Sequence, residues 1–172
     1  FTTSEGVKVL DSVSGTVFNA GMPRALDNTL ALTGSSGFLA DTYQVAYRVM
    51  WIYRDANNNL IEGAPSQRSV ITNTAGGGAT RNVSLEITIP DGLTTDDAFQ
   101  VYRSAQLTTT PDENYQLVYE GNPSSGDITA GYVTVTDITP DSLRRATAYF
   151  STSQQGLAHR AQVGRSEERR VG

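Results

Sequence analysis

The sequence predicts an all-β protein built as an antiparallel sandwich, and three observations support this fold class. Short apolar runs are separated by turn-forming residues, and the 172-residue chain contains 16 Gly and 38% hydrophobic residues. Within these runs apolar and polar residues alternate with a period of two. No apolar run approaches the length of a membrane span. The chain also has no Cys, so its stability must come from packing rather than from disulfides.

The longest predicted strand organises the rest of the chain. Aromatic and valine residues fall on every second position, which places them on one face of the sheet: Tyr43, Val45, Tyr47, Val49, Trp51 and Tyr53. The opposite face is predicted to begin half-solvated and to become covered toward its middle; it carries Gln44, Ala46, Arg48, Met50, Ile52 and Arg54. We therefore expect Trp51 to be buried against the strand 83–89 and Arg48 to behave as a surface residue.

The turn after this strand is rich in Asp and Asn, whose side chains tolerate positive φ, and it predicts a hairpin. Asp55, Asn57 and Asn59 also stand at the first, third and fifth positions of a calcium-binding loop. The sixth position is Leu60 where Gly is needed, and the twelfth is Ser66 where a bidentate Glu is needed. The plain turn is the preferred interpretation, and no metal site is predicted.

The rest of the chain predicts further strands and loops. The returning strand of the hairpin begins at 63–66, and the alternation of Val, Leu and Ile predicts a half-buried strand over 83–89. A hairpin-like pair is predicted at 99–104 and 115–120, and another strand at 132–137. One helical turn is expected at 143–146, capped by Asp141 or Ser142. Three glycines at 76–78 indicate a flexible loop; a phosphate cradle would need a lysine and a following helix, and a strand follows instead.

Charge and residue types argue against several function classes. The formal net charge of -5 and the dispersed basic residues disfavour direct nucleic-acid binding. The one histidine, His159, has no nucleophile motif near it and is interpreted as a surface residue rather than a catalytic base. The adjacent pairs Asp96–Asp97 and Asp112–Glu113 are interpreted as solvated loop charge. We predict no catalytic, cofactor-binding or metal-binding residues, no cofactor and no enzymatic activity.

The composition divides the chain into four segments. Residues 1–37 are predicted to form an N-terminal arm or part of a neighbouring domain, and 38–150 the β-sandwich domain. Residues 151–164 are expected to be a truncated C-terminal extension. Residues 165–172, with the sequence RSEERRVG, resemble the translation of a sequencing adapter and are left out of fold reasoning. The chain opens at Phe1 rather than at Met, and we expect it to be a fragment of a longer protein.

Eight short segments occur in an order and spacing that resemble a family of phage virion proteins. They are GMPRAL (21–26), VAYRV (45–49), DANNN (55–59), GAPSQR (63–68), VYRS (101–104), QLVYE (116–120), TPDSL (139–143) and STSQQG (151–156). The family comprises tail tubular or nozzle-like proteins of short-tailed phages. The resemblance implies an immunoglobulin-like or fibronectin-III-like sandwich within a larger tail protein, with no catalytic residues to carry over. The sequence departs from the family pattern at Arg144 and Arg145, where a small residue is expected.

Two functions from different classes follow as hypotheses. The first is a structural component located in the virion, with other tail proteins and copies of itself as partners and no membrane association. The alternative is a carbohydrate-binding or adhesin-like module, because Tyr, Asn and Asp in loops can stack on sugars and bond hydroxyls. Coplanar, outward-facing rings among Tyr102, Tyr115, Tyr119 and Tyr132 would favour sugar binding, whereas burial of all four would disfavour it.

Overall fold

The computed structural model describes residues 2–3, 6–10, 14, 17–19, 21–54 and 60–148. Its strands are β1 (Thr2–Thr3), β2 (Gly6–Leu10), β3 (Val17–Asn19), β4 (Asn28–Thr33), β5 (Gln44–Arg54), β6 (Leu60–Glu62), β7 (Ser69–Thr72), β8 (Asn82–Thr88), β9 (Ala98–Arg103), β10 (Gln116–Gly121) and β11 (Tyr132–Asp137). A short helix, α1, spans Ser125–Ala130, and a 3-10 turn spans Asp141–Leu143. The predicted all-β antiparallel sandwich is confirmed.

Two antiparallel sheets form the sandwich. Sheet I has the strand order β11-β8-β4, and sheet II has the order β10-β9-β5-β6, with β7 also pairing with β5. Sheet II has the neighbour order of the immunoglobulin-type sheet that contains strands C, F and G. Strand β11 departs from that topology, because it returns to sheet I and pairs antiparallel with β8. Strands β1 to β3 form a three-stranded sheet of their own.

The core lies between the two sheets, and it contains the predicted face of β5. Val45, Tyr47, Val49 and Trp51 are fully buried, and they share one apolar cluster with the inward residues of β8 and β11. The Trp51 ring lies 5.4 Å from that of Phe99, measured between centroids, in a tilted arrangement. The predicted burial of Trp51 is therefore confirmed.

The outer face of β5 is covered more fully than the sequence predicted. Ala46 is already buried near the start of the strand, and Met50 and Ile52 are buried further along it. These side chains belong to a second apolar cluster that also contains Tyr102 and Tyr115. Tyr115 belongs to the loop between β9 and β10, which folds back over this face of sheet II, whereas Tyr102 belongs to β9 itself.

The sandwich begins earlier in the chain than the predicted boundary at residue 38. Strand β4 pairs with β8 along its whole length, although it falls in the segment 1–37 that was assigned to the arm. Met22 and Ala25 also lie in the core, and the Ala25 N–H donates to the Ala64 carbonyl at 2.9 Å. A Cβ on Gly63 would lie 2.3 Å from the Pro23 carbonyl oxygen, so only glycine allows this close approach.

The returning strand of the hairpin is split into two pieces. Between β6 and β7, Gly63 N–H donates to Trp51 O at 2.8 Å. Ser66 N–H donates to Val49 O at 2.9 Å, while the Ser66 hydroxyl accepts from Val49 N–H at 3.0 Å. A side chain thus replaces one backbone acceptor of the ladder, so the predicted start of a continuous strand at 63–66 is wrong.

The two short helical segments also differ from the sequence predictions. The predicted helical turn at 143–146 is wrong, since a 3-10 turn occupies Asp141–Leu143 and no side chain caps its start. Helix α1 was not predicted, and a capping box between Ser124 and Asp127 fixes its first turn. The hairpin turn 55–59 lies outside the described residues, but the strands that flank it pair antiparallel, with Arg54 opposite Leu60.

Candidate functional site

Arg103, Asp137, Asp141 and Tyr47 form a group that we call the charge cluster. Arg103 and Asp137 expose only 0% and 2% of their surface. Arg103 Nη1 lies 2.5 Å from Asp137 Oδ2, and the Tyr47 hydroxyl donates to the same oxygen at 2.8 Å. Because Tyr47 and Arg103 belong to sheet II and Asp137 to sheet I, the cluster joins the two sheets.

Further contacts hold both members of the buried ion pair. Arg103 Nη2 donates to the Thr139 carbonyl at 2.8 Å and to Asp141 Oδ1 at 2.9 Å. Its guanidinium carbon lies 3.6 Å from the centroid of the Phe38 ring. Asp137 Oδ1 accepts from Thr139 N–H at 2.9 Å. A buried ion pair offsets its desolvation only when such additional hydrogen bonds are present, and here both partners have them.

The protonation state of Tyr47 suits its role as a hydrogen-bond donor to Asp137. Burial raises the pKa of the Tyr47 hydroxyl well above its usual value, and the negative charge of Asp137 raises this pKa further. The hydroxyl therefore stays protonated and donates to Asp137. A general acid or base must reach a substrate, whereas Tyr47, Arg103 and Asp137 are all buried. The charge cluster acts as a polar cross-link between the layers rather than as a reaction centre.

A second polar group, which we call the outer cluster, lies on the outer face of sheet II and consists of Arg48, Arg68, Glu113 and Tyr115. Glu113 lies 3.6 Å from Arg48 Nη2 and 3.5 Å from Arg68 Nε. The Arg48 guanidinium lies over the Tyr115 ring at 5.5 Å from its centroid, and Arg68 donates to the Pro111 carbonyl. These contacts fasten the loop between β9 and β10 over the sheet.

The outer cluster modifies two expectations from the sequence. Glu113 was expected to be simple solvated loop charge; its side chain is 64% exposed, yet it lies between two guanidinium groups. Arg48 was expected to be an ordinary surface residue, but it is half-buried and also donates to the Ser66 carbonyl at 3.0 Å. Both side chains therefore support the position of a loop.

The other adjacent carboxylate pair lies at a surface turn. Asp97 Oδ2 accepts from Thr94 N–H at 2.8 Å and from the Thr94 hydroxyl at 3.1 Å, while Asp96 is exposed. Side chains that bond backbone groups two or three residues away are typical of turns. These contacts give Asp97 a local structural role.

The glycine loop binds a carboxylate from its own chain. Gly76, Gly77 and Gly78 have φ angles of 75°, 64° and 76°. The amides of Gly76 and Gly78 donate to Asp41 Oδ1 at 3.0 Å and Asp41 Oδ2 at 2.9 Å. Convergent backbone N–H groups form an anion site, and in this protein Asp41 occupies it. The loop is thus tied to the start of β5.

Other candidates from the sequence have no described geometry. The calcium-loop residues Asp55, Asn57 and Asn59, and the histidine His159, lie outside the described residues. Within the described ranges, no group of three or more His, Asp or Glu side chains is placed to hold a metal ion. In the same part of the chain, no helix has the length and apolar character needed to cross a membrane.

The four tyrosines that distinguish the two functional hypotheses divide into two pairs. Tyr102 and Tyr115 expose 7% and 0% of their surface, whereas Tyr119 and Tyr132 expose 39% and 43%. Tyr119 lies in sheet II with its ring stacked on Phe99 at 5.7 Å between centroids, and Tyr132 lies in sheet I. The four rings therefore do not form a single outward-facing set.

Comparison with known proteins adds no relative: no family model, curated protein or solved structure matches this chain.

Sequence reasoning missed the charge cluster, although a signal for it was present. Arg103 follows Phe99 and Val101 in the inward alternation of β9, and Asp137 ends the inward alternation of β11. Charged residues are almost never fully buried unless they are paired. A charge at an inward position therefore predicts a buried partner, but the two residues are 34 positions apart in the chain, so the sequence does not indicate which partner it is.

Proposed function

We propose that this chain is a structural module of a phage virion, a tail component that works by packing against copies of itself and against neighbouring tail proteins. The observation that carries the proposal is that the buried charges of this chain form an ion pair between the two sheets. Arg103 and Asp137 bind each other across the two sheets and hold no group exposed for chemistry. A polar cross-link of this kind is directional and fixes how two layers sit on each other, which suits a rigid building block.

The segments that carry the resemblance also support the proposal, because several of them meet in the fold. The segments 45–49, 101–104 and 139–143 supply Tyr47, Arg103 and Asp141 to the charge cluster. The segments 45–49 and 63–68 supply Arg48 and Arg68 to the outer cluster. The segments on which the resemblance rests thus supply part of both clusters, whose other members, Asp137, Glu113 and Tyr115, lie outside these segments.

Mass spectrometry of purified particles of the encoding phage tests the proposal. Trypsin should release the peptide 82–103, which has no internal Lys or Arg. We expect this peptide in particles purified by density gradient, at a fixed ratio to peptides of an established tail protein. A non-structural protein of the same phage serves as the control for contamination. Loss of the peptide to the level of that control would contradict the proposal.

A second candidate function, binding of carbohydrate, is favoured by one observation. Tyr119 and Tyr132 keep about four-tenths of their surface exposed, and exposed aromatic rings can stack on sugars. Tyr119→Ala and Tyr132→Ala would be compared with wild type on a glycan array. Glycan binding that either variant removes would support this candidate, and no binding by the wild-type chain would exclude it for the glycans tested.

A further inference from the structure

The hydrogen-bond pattern of sheet I fixes which backbone groups of its edge strand β11 point away from the sheet. Ile89 N–H donates to Gly131 O at 2.9 Å, and the unbroken register continues with Ile87 opposite Val133. In an antiparallel ladder, hydrogen-bonded pairs recur at every second residue. Val133, Val135 and Asp137 therefore bond to β8. The N–H and C=O groups of the residues between them point outward.

The outward groups belong to Tyr132, Thr134 and Thr136, whose side chains are all exposed. Within the described residues β11 is an edge strand of sheet I. No described backbone hydrogen bond reaches these three residues on the side of β11 that points away from β8. Their exposure also shows that the outer face of the strand is open. Among the described residues, the whole outward edge of β11 is thus unpaired.

Natural proteins protect such edges with Lys, Pro, inward-pointing charge or a β-bulge. Strand β11 reads YVTVTD and contains neither Lys nor Pro. Its register with β8 has no bulge. Its one charged residue, Asp137, is bound to Arg103 and so does not repel a partner strand. This unprotected edge is typical of a surface that pairs with another strand.

We propose that the β11 edge pairs with the β11 edge of a second copy of this chain, antiparallel about a two-fold axis at Thr134. This inference rests on the proposed function and names the partner and surface for one of its contacts. Sheet I would then continue across both copies as one six-stranded sheet. A two-fold contact uses the same patch on both subunits, and one strand with a self-complementary pattern is sufficient to build it.

The side chains of β11 are self-complementary in this arrangement. Thr134 would face Thr134 of the partner subunit, and Tyr132 would face the partner's Thr136. Threonine pairs and aromatic pairs with β-branched residues are favourable across antiparallel strands. Glu86 on β8 is an exposed charge opposite Thr134. The two Glu86 carboxylates would be three strand spacings apart, about 14 Å, which exceeds the screening length of about 10 Å.

A contact limited to one strand edge is small, so we expect weak association in solution that becomes strong when many copies are arrayed. Cysteine cross-linking detects such contacts. Because the chain has no Cys, a single introduced Cys can form a disulfide only between two copies. At the proposed axis the Cα atoms of the hydrogen-bonded pair would be about 5.5 Å apart, within the range that a disulfide spans.

The cross-linking experiment compares Thr134→Cys with Thr88→Cys in the full chain. Thr88 is exposed on the same face but lies on the central strand β8, so it reports random collision. Under mild oxidation at high protein concentration, we expect Thr134→Cys to form disulfide-linked dimers at least about tenfold faster, because pairing raises the effective thiol concentration. Equal rates for the two variants would overturn the inference.

A second pair of variants removes the outward N–H itself. Thr134→Pro lacks this donor, whereas Thr134→Val keeps it, and both replace the same exposed side chain. Proline is tolerated on an edge strand when its nitrogen faces solvent. In sedimentation at high concentration, we expect Thr134→Val to dimerise and Thr134→Pro to stay monomeric. Dimers of both variants would refute pairing through this edge; if Thr134→Pro does not fold, the cross-linking rates still decide.

The tests of this inference and of the proposed function can fail separately. Absence of dimers from every variant, combined with detection of the peptide 82–103 in purified particles, would refute the strand pairing and leave the structural virion role standing. Dimers through β11, combined with absence of the peptide from particles, would support the pairing and refute the virion role.

Discussion

Removal of one partner of the Arg103–Asp137 ion pair is expected to destabilise the sandwich more than removal of both. Asp137→Leu leaves the guanidinium of Arg103 buried without its main counterion, and Arg103→Met leaves a buried carboxylate. Breaking a buried pair from one side costs about 3 to 5 kcal/mol, whereas replacing both partners by apolar residues is often close to neutral. Each single variant would thus lose a large share of the roughly 5 to 15 kcal/mol typical of a domain.

Urea denaturation of wild type, both single variants and the double variant measures this coupling. We expect the two single losses to add up to about 6 to 10 kcal/mol, and the double variant to lose much less than this sum. Asp141→Asn is the matched control, because its carboxylate also bonds Arg103 but its side chain is 32% exposed; we expect a loss of about 0 to 1 kcal/mol. A double variant whose loss equals the sum of the singles would refute the reasoning.

Further predictions test the core, the covering loop, a buried tyrosine and two glycines. Trp51→Ala should cost about 3 to 5 kcal/mol in urea denaturation because it leaves a cavity in the core; native fluorescence typical of an exposed indole would contradict this. Arg48→Ala should make the loop between β9 and β10 more sensitive to limited proteolysis, and unchanged cleavage would argue against the outer cluster. Burial, followed by the charges of Glu62 and Glu120, raises the pKa of Tyr102 to about 12, against about 10 in an unfolded chain. The protonated Tyr102 hydroxyl therefore contributes fully to stability below a pH of about 10, and this contribution is lost as the pH rises through about 12. The urea midpoint of unfolding should fall less with rising alkaline pH in Tyr102→Phe than in wild type, and an identical fall would refute this. Gly37→Ala should destabilise, since its Cβ would lie 2.2 Å from the Arg81 carbonyl carbon, while Gly126→Ala inside α1 should stabilise by up to about 1 kcal/mol; equal midpoints would contradict both.

Strands with strict alternation were predictable from the sequence. The prediction of 132–137 coincides with β11, and that of 83–89 differs from β8 by one residue at each end. In both strands the apolar residues face the core, and the polar residues face outward except Asp137, which is buried with Arg103. A period of two is thus sufficient to fix type and facing. The inner face of β5 follows the same rule.

Features that depend on distant residues were not predictable. The outer face of β5 is buried at Ala46 and Met50, which cluster with Tyr102 and Tyr115, more than fifty positions later in the chain. The apolar character of these residues was a hint, but nothing in the sequence indicates which segment covers them. The alternation of Leu30 and Leu32 with polar or small residues indicates short strands or a wrapping arm, but nothing in it indicates that β4 pairs with β8 in the sandwich.

The position of Asp137 at the end of β11, far along the chain from Arg103, has a consequence for synthesis on the ribosome. Arg103 enters the core as part of β9, but its counterion arrives 34 residues later. Until then the growing chain would have to bury an uncompensated cation, which is strongly unfavourable. We therefore expect the sandwich to close only after β11 has left the exit tunnel. A chain that stops at residue 131 should remain sensitive to protease while a chain that stops at 148 becomes resistant, and early resistance of the shorter chain would contradict this order of events.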